Sequence, residues 1–433
     1  MRFFVTTLVF LIAILSGFSQ QILQFDEALK IAIENNHTIR VAINKQQQSE
    51  NNATIGNAGM LPKIDLVSNY NTAESKADVN FATGLNQSDL QSKFTNTSTK
   101  IEVSYSVFRG LAAITTYQKL KDVVDLSALQ TRLNIESTLL QVSNAYYEIA
   151  RQQMQLEVVK ENLGISKERV DRAKSKVAYG AGGKLMLLNA QVDFNTDSIT
   201  FLELENNLRA TKRNLNLILA RDIDSEFSVE QNIELNKDIQ LENVETKTKA
   251  NNANLLLAQT NLDISQLDKK LQLSYLMPAV SLSGDYGLSG STSNTSFVLS
   301  SSSLGYSAAL SLSWNLFDGG KKRTALQNAS IAILNNELAK QQATLTVSKD
   351  LANAFDLYSY RVKLLAIQQQ NIEVAQLNFE RSKELFNQGQ LTTAQFREAQ
   401  LNLNTARVNI HTTQFIIKLS EIELMRLSGD LIN

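Results

Sequence analysis

The chain is an internal duplication, and that limits the folds open to it more than any other feature. Its two prolines, in 433 residues, fall at matching places. GMLPKIDLVSNY, from Gly59, aligns with YLMPAVSLSGDY, from Tyr275, so that Pro62 meets Pro278, Asn36 meets Asn252 and Ala42 meets Ala258. Further on, YSVFRG meets WNLFDG, which pairs Phe108 with Phe317, Gly110 with Gly319, Thr115 with Thr324 and Gln118 with Gln327. That second register runs unbroken to Gly180 and Gly389, then to Ala190-Gln191 and Ala399-Gln400. The two registers differ by seven residues, so the second copy is shorter between its proline and its phenylalanine. Each half reads helix, strand, loop, strand, long helix, turn, long helix. The expected boundaries are 20–219 for the first copy, 220–247 for a connection and 248–433 for the second copy.

The prolines mark the passage from helix to strand. A proline disfavours helix in the residue before it and removes a donor from the helical ladder. The passage back, at VFRG and LFDGG, uses glycine. Between these marks the residues alternate. Ile101, Val103, Tyr105 and Val107 share one face, with Glu102, Ser104 and Ser106 on the other. Ala308, Leu310, Leu312, Trp314 and Leu316 oppose Ala309, Ser311, Ser313 and Asn315. Val280, Leu282, Tyr286 and Leu288 oppose Ser281, Ser283 and Asp285, and KIDLVSNY alternates less cleanly. Such alternation makes a sheet with one apolar and one polar face. A soluble sheet packed on a core is the competing reading. The small polar residues of the second face suit a water-filled lumen, and the secretory signal read at the start of the chain (below) opens an outer membrane as a location.

Four strands cannot close a membrane barrel, which takes about eight or more, and open edges are not viable in lipid. If this sheet faces lipid, several chains must share one barrel, and three would give twelve strands. The segments TAESKADVNFATGLNQSDLQSKFTNTST and SGSTSNTSFVLSSSS become its external loops. Tyr70, Tyr286, Tyr306 and Trp314 suit interfacial girdles, or ordinary strand preference.

From Leu111 to Tyr179 there is no proline and one interior glycine, Gly164. Apolar residues recur every seven positions at Val142, Ile149, Leu156, Leu163, Val170 and Val177, and again at Leu351, Tyr358, Leu365, Ile372, Phe379 and Phe386. A sustained seven-residue period supercoils helices on their neighbours. Gly180 and Gly389 suit the left-handed backbone that ends a helix, so each half closes with a helical hairpin. A coiled-coil scaffold explains these helices but not the strands.

The first twenty residues, MRFFVTTLVFLIAILSGFSQ, read as a secretory signal over 1–19, cleaved after Ser19 or Gln20. No later apolar run is long enough for a transmembrane helix of about 20 residues. The absence of cysteine excludes disulfides, thiol catalysis, thiolate-held metals and a lipidated N-terminal cysteine. A formal net charge of −1 gives no bulk attraction to nucleic acid.

Four segments resemble the TolC-like outer membrane efflux family. LQFDEALKIAIENNHTIRVA (Leu23 to Ala42) is similar to the family's opening helix, with His37 where proline is usual. GNAGMLPKIDL resembles the lead into the first strand, and WNLFDGGKKRTAL the exit from the fourth. FNQGQLTTAQFREAQLNLNTARVNI resembles the second turn and returning helix. The resemblance covers essentially the whole mature chain. It implies a homotrimer with a 12-stranded outer-membrane barrel that continues as a helical tunnel across the periplasm. A mixed equatorial region is expected around Asp222 to Lys247 and the C-terminal end. The implied role is a passive exit duct, joined through a periplasmic adaptor to an inner-membrane pump, with drugs, other small molecules or proteins as cargo. Gly180 and Gly389 match the hairpin tips that meet the adaptor. Gln395 and Glu398 match the positions where some members carry acidic entrance rings. Only Glu398 is acidic here, giving one ring of three carboxylates that would repel one another and favour cations. A solvated helix face is the competing role for Glu398. The first tip, YGAGGKL, departs from the family wording.

No catalytic, cofactor or metal site is expected. His37 and His411 are far apart and lack clustered partners. YGAGGK lacks phosphate-loop spacing and follows no strand. LSGSTSNTS has no base in reach to activate a serine. The NTS sequons at Asn96 and Asn294 mean little if the source is bacterial.

Overall fold

The computed structural model describes residues 22–80 and 82–432; the signal expected over 1–19 lies outside them. The elements run β1 (Ile22–Leu23), α1 (Phe25–Asn35), α2 (His37–Asn52), β2 (Lys63–Asn80), β3 (Asn86–Arg109), α3 (Ala112–Ala178) and α4 (Lys184–Ile218). They continue as β4 (Ser228–Val229), α5 (Leu241–Asn251), α6 (Ala253–Ser274), β5 (Ala279–Ser293), β6 (Ser300–Ser313), α7 (Lys321–Asn387) and α8 (Thr393–Ser428). The chain forms two compact units. A helical unit takes the residues through Lys45, Ala128–Leu257 and those from Gln341 onward; a sheet unit takes Gln46–Ser127 and Ala258–Lys340. Both sequence halves feed both units, because each copy of the duplication carries one strand pair and one helical hairpin.

The sheet unit is antiparallel, in the order β2-β3-β5-β6. Its strands are longer than alternation alone suggests. The two segments expected as external loops are mostly strand, with only short described connections, at 82–85 and at Asn294–Leu299, between strands. The physical reason is that serine, threonine and asparagine keep the backbone ladder where the apolar face stops. Hydroxyls pair directly across strands at Ser68–Thr99 (2.9 Å), Thr72–Thr95 (3.2 Å) and Ser291–Ser301 (2.8 Å). At the other end β6 stops at Ser313, short of WNLF, and Trp314 Nε1 donates to the Leu276 carbonyl at 3.0 Å.

α3 and α7 are each 67 residues long, about 100 Å at ~1.5 Å per residue, and the helical unit takes them from Ala128 and from Gln341 onward. The seven-residue ladder is their inward seam. Val142, Ile149 and Val170 on α3 and Leu351, Tyr358, Leu365 and Phe379 on α7 are buried. Ile417, Leu424 and Leu427 of α8 complete the α7 core. A second core gathers Phe25, Tyr146 and Tyr147, with ring centroids 4.9–5.4 Å apart. Tyr146 donates its hydroxyl to the Leu23 carbonyl at 2.9 Å, and burial pushes its phenol pKa up to about 12. Beside it β1 and β4 pair in parallel, which fastens the start of the described chain to the connection between the copies. Among the described residues, no helix is long and apolar enough to cross a membrane.

Candidate functional site

Cross-strand register sorts the sheet into two chemically distinct faces. One rung carries Leu66, Ile101, Tyr286 and Tyr306. Neighbouring rungs on the same face add Ile64, Val103, Leu282, Leu310, Leu288 and Leu304. These side chains are bare: Leu66 is 74% exposed and Tyr306 85%. An apolar face of this extent marks contact with lipid or protein. The opposite face carries the rung Asp65, Glu102, Asp285, Ser307. Its carboxylates are held by polar neighbours: Lys63 on Asp65 at 2.8 Å, Lys100 on Glu102 at 2.5 Å, and the Ser307 hydroxyl donating to Asp285 at 2.7 Å. Gly287 leaves room for this arrangement, since a Cβ there would lie 2.4 Å from the Lys100 Cβ. The outer edges of β2 and β6 have no strand partner among the described residues.

Pro278 directly precedes β5 and Pro62 directly precedes β2. Neither ends its helix alone. α6 stops at Ser274, and α2 stops at Asn52, ten residues before Pro62, with turns between. Phe108 lies at a bulge in β3, where the register with β5 shifts. Phe317 lies past the end of β6 and is exposed. Gly110 and Gly319 both have positive φ, +58° and +73°, which favours glycine. Only Gly110 is also crowded: a Cβ would come 2.3 Å from the Ser274 carbonyl oxygen.

The two hairpin tips share one geometry. The Gly180 N–H donates to the Val177 carbonyl and the Ala181 N–H to Lys176. The Gly389 N–H donates to Phe386 and the Gln390 N–H to Leu385. Each is a left-handed helix stop, with φ of +67° and +78°. Past the second tip, Gln395 closes a capping box at the start of α8: its N–H donates to Thr392 Oγ1 (3.3 Å), and its Oε1 accepts from the Thr392 N–H (3.1 Å). One turn on, Glu398 is exposed and lines a cavity of about 480 Å³ with Arg169, Asp193 and Arg397. Gly180, Gly389, Gln395 and Glu398 all belong to the helical unit.

The sequence reading missed the polar clasp beside these residues. Arg397 of α8 grips Asp197 of α4 with both guanidinium nitrogens, at 2.5 and 2.8 Å. Ser166 of α3 donates to the same carboxylate. Arg169 of α3 pairs with Asp193 of α4 at 2.6 Å, and Gln400 of α8 donates to Asn162 of α3 at 3.2 Å. Phe379, Phe386 and Phe396 stack beside the clasp. The two hairpins are thereby tied together by hydrogen-bonded charge and aromatic packing. Only a charged residue amid the helix pattern hinted at Asp197 or Arg397, and nothing local pairs them.

Two long helical hairpins joined to an antiparallel sheet with one apolar face and open edges define a class, the outer-membrane channels of mixed helix and strand. A family model described as outer membrane efflux protein matches residues 28–221 and 246–430. The chain belongs to that family. It is 21% identical over 392 residues to the outer membrane protein TolC of Vibrio cholerae, covering 87% of this chain and 84% of that protein. Its fold is similar to the Campylobacter jejuni CmeC outer membrane channel, with TM-score 0.79, 15% identity, and 94% and 86% of the two chains covered. It is also similar to the open state of the Neisseria gonorrhoeae MtrE outer membrane channel, with TM-score 0.72, 14% identity, and 94% and 90% covered. The protein is an outer-membrane efflux channel subunit of a bacterial cell, extending into the periplasm.

Proposed function

We propose that three copies of this chain close a twelve-stranded barrel that passively releases small molecules from the cell. In this reading an inner-membrane pump supplies the cargo through a periplasmic adaptor. The observation that carries it is the four-stranded sheet with an exposed apolar face and two open edges. Lipid does not tolerate unpaired edges, and three such sheets fall within the range of closed membrane barrels. The polar face, with its Asp65–Glu102–Asp285 rung, then lines water. The tips at Gly180 and Gly389 are the surfaces offered to the adaptor, and Glu398 contributes one carboxylate per chain at the entrance. Gln395 serves its own helix start and adds no charge. Export of proteins in place of small molecules uses the same duct and differs in the pump. A periplasmic coiled-coil scaffold without a pore leaves the apolar sheet face unexplained.

Single-channel conductance of detergent-extracted protein in planar bilayers tests the reading. Discrete cation-selective pores are expected, with selectivity reduced in Glu398→Ala. Pores unchanged by the substitution remove Glu398 from the entrance. Protein that is soluble without detergent and forms no pores overturns the channel.

A further inference from the structure

The join between the two hairpins carries a cationic cavity that the channel reading leaves without a role. We infer that it binds a monatomic, monovalent anion of the chloride class, held by Arg169 and Arg172 of α3 and Lys383 of α7. The site lies about two helical turns short of the tip glycines.

Sequence spacing brings the groups together. Glu168, Arg169 and Arg172 fall within about one turn of α3, and Lys383 and Phe386 lie three positions apart on α7. Phe396 of α8 stacks on Phe386, with ring centroids 4.7 Å apart and planes at 7°. These side chains help to wall a cavity of about 40 Å³ within the helical unit.

Arg169 is the residue that points to a ligand. Its side chain is only 4% exposed. Nη2 donates to Asp193 at 2.6 Å. Nε and Nη1 are buried and have no hydrogen-bond partner among the described residues. Buried donors are nearly always satisfied, and leaving them unpaired is costly. These two therefore call for an acceptor from outside the chain.

Charge sets the sign of that acceptor. Arg169, Arg172 and Lys383 bring three positive charges to the cavity. Asp193 offsets one and Glu168 a second, which leaves one for a monovalent anion to balance. The Phe386 ring holds Arg172 at the cavity, with the guanidinium carbon 5.3 Å from the ring centroid. Size sets the class. One water needs at least ~10–15 Å³ of such space, so the cavity takes a single small ion with a water or two. The phenyl walls offer no hydrogen bonds in exchange for lost hydration, which favours a weakly hydrated halide over sulfate. An anion here touches α3 and α7 at once, and so ties the first hairpin to the second.

The test uses the full chain, extracted in detergent, and needs neither a pore nor a trimer. Crystals grown with sodium bromide in place of chloride should show an anomalous bromide peak in contact with Arg169 Nε or Nη1 and with the Arg172 guanidinium. In solution, exchanging sodium gluconate, which is too large for the cavity, for sodium bromide at constant ionic strength should raise Tm by about 2–4 °C and then saturate. Arg172→Gln leaves the Arg169–Asp193 pair in place and should lose most of that rise. A cavity without a bromide peak at near-molar bromide overturns the site. A rise of equal size in Arg172→Gln overturns it as well, because bulk salt then accounts for the shift. A rise that saturates with sulfate as readily as with bromide, and is lost in Arg172→Gln, overturns the monatomic assignment.

Discussion

Asn36 and Asn252, partners in the duplication, each tie the start of their own copy to its end in the same way. Asn36 Oδ1 accepts from the N–H groups of Thr38 (2.8 Å) and Ile39 (3.2 Å), and its Nδ2 donates to the Ile218 carbonyl at 2.8 Å. Asn252 Oδ1 accepts from Asn254 (3.0 Å) and Leu255 (3.3 Å), and its Nδ2 donates to the Leu427 carbonyl at 3.0 Å. Ile218 and Leu427 are themselves repeat partners. Each asparagine thus starts one helix and satisfies the end of another.

Asn252 is buried, so removing its side chain strands groups on both sides. Asn252→Ala should lower unfolding stability by about 2–4 kcal/mol, combining a lost cap with an unsatisfied buried carbonyl. Asn252→Ser keeps a capping oxygen but is too short to reach Leu427, and should cost roughly half as much. Thermal denaturation of detergent-extracted protein separates the two. Equal losses would mean that the cap contributes nothing.

Ala220 marks where the copies diverge. It ends α4 with φ of +52°, and the same pair of backbone bonds forms as at Gly429: Ala220 N–H to Leu217, and Arg221 N–H to Asn216. Its repeat partner is Gly429, with φ of +77°. A left-handed backbone costs an L-residue roughly 1–2 kcal/mol. Ala220→Gly should therefore raise stability by about 1 kcal/mol, read as a higher Tm. A lower Tm would show that the alanine methyl packs usefully there.

The duplication, the heptad seam and the strand alternation were legible because each is periodic. Val142 and Leu351 could be placed on an inward seam, and Ile101 and Tyr286 on one sheet face, from spacing alone. Strand ends were not legible, because Ser291 and Ser301 look like loop residues until their hydroxyls meet across a ladder. The Gln395 capping box was written locally as Thr392-x-x-Gln395, a pattern the motif alignment did not use. The Arg397–Asp197 clasp spans 200 positions with no periodic trace.

That clasp should behave as a coupled unit. The Arg397 and Asp197 side chains are only 14% and 12% exposed, so removing one partner leaves a poorly solvated charge. Arg397→Gln alone should destabilise by about 3 kcal/mol, near the low end for buried pairs because some solvent remains. Arg397→Gln with Asp197→Asn should recover part of that loss. A double-mutant cycle by chemical denaturation should return a coupling of about 1–3 kcal/mol. Additive single effects would show that Ser166 alone sustains the Asp197 carboxylate.

His411 gives the helical unit a defined acid sensitivity. It lies half-buried on α8, and its Nδ1 is buried without a hydrogen-bond partner. Burial holds its pKa below the ordinary value of 6.5, with Arg407 adding repulsion, against a hydrogen bond with Gln414 and the charge of Glu157. A depressed folded-state pKa contributes stability above the unfolded value, and that contribution is lost as pH falls through the folded value. The window therefore opens below pH 6.5. Glu136 and Glu421 act in the opposite sense, because burial raises their carboxyls above the usual range, so the histidine loss is partly offset at lower pH. Between about pH 7.5 and 5.5 the Tm of the unsubstituted protein should fall. His411→Gln cannot take up the proton, so its Tm should fall less over the same interval. An identical fall in both proteins would assign the acid sensitivity to other groups.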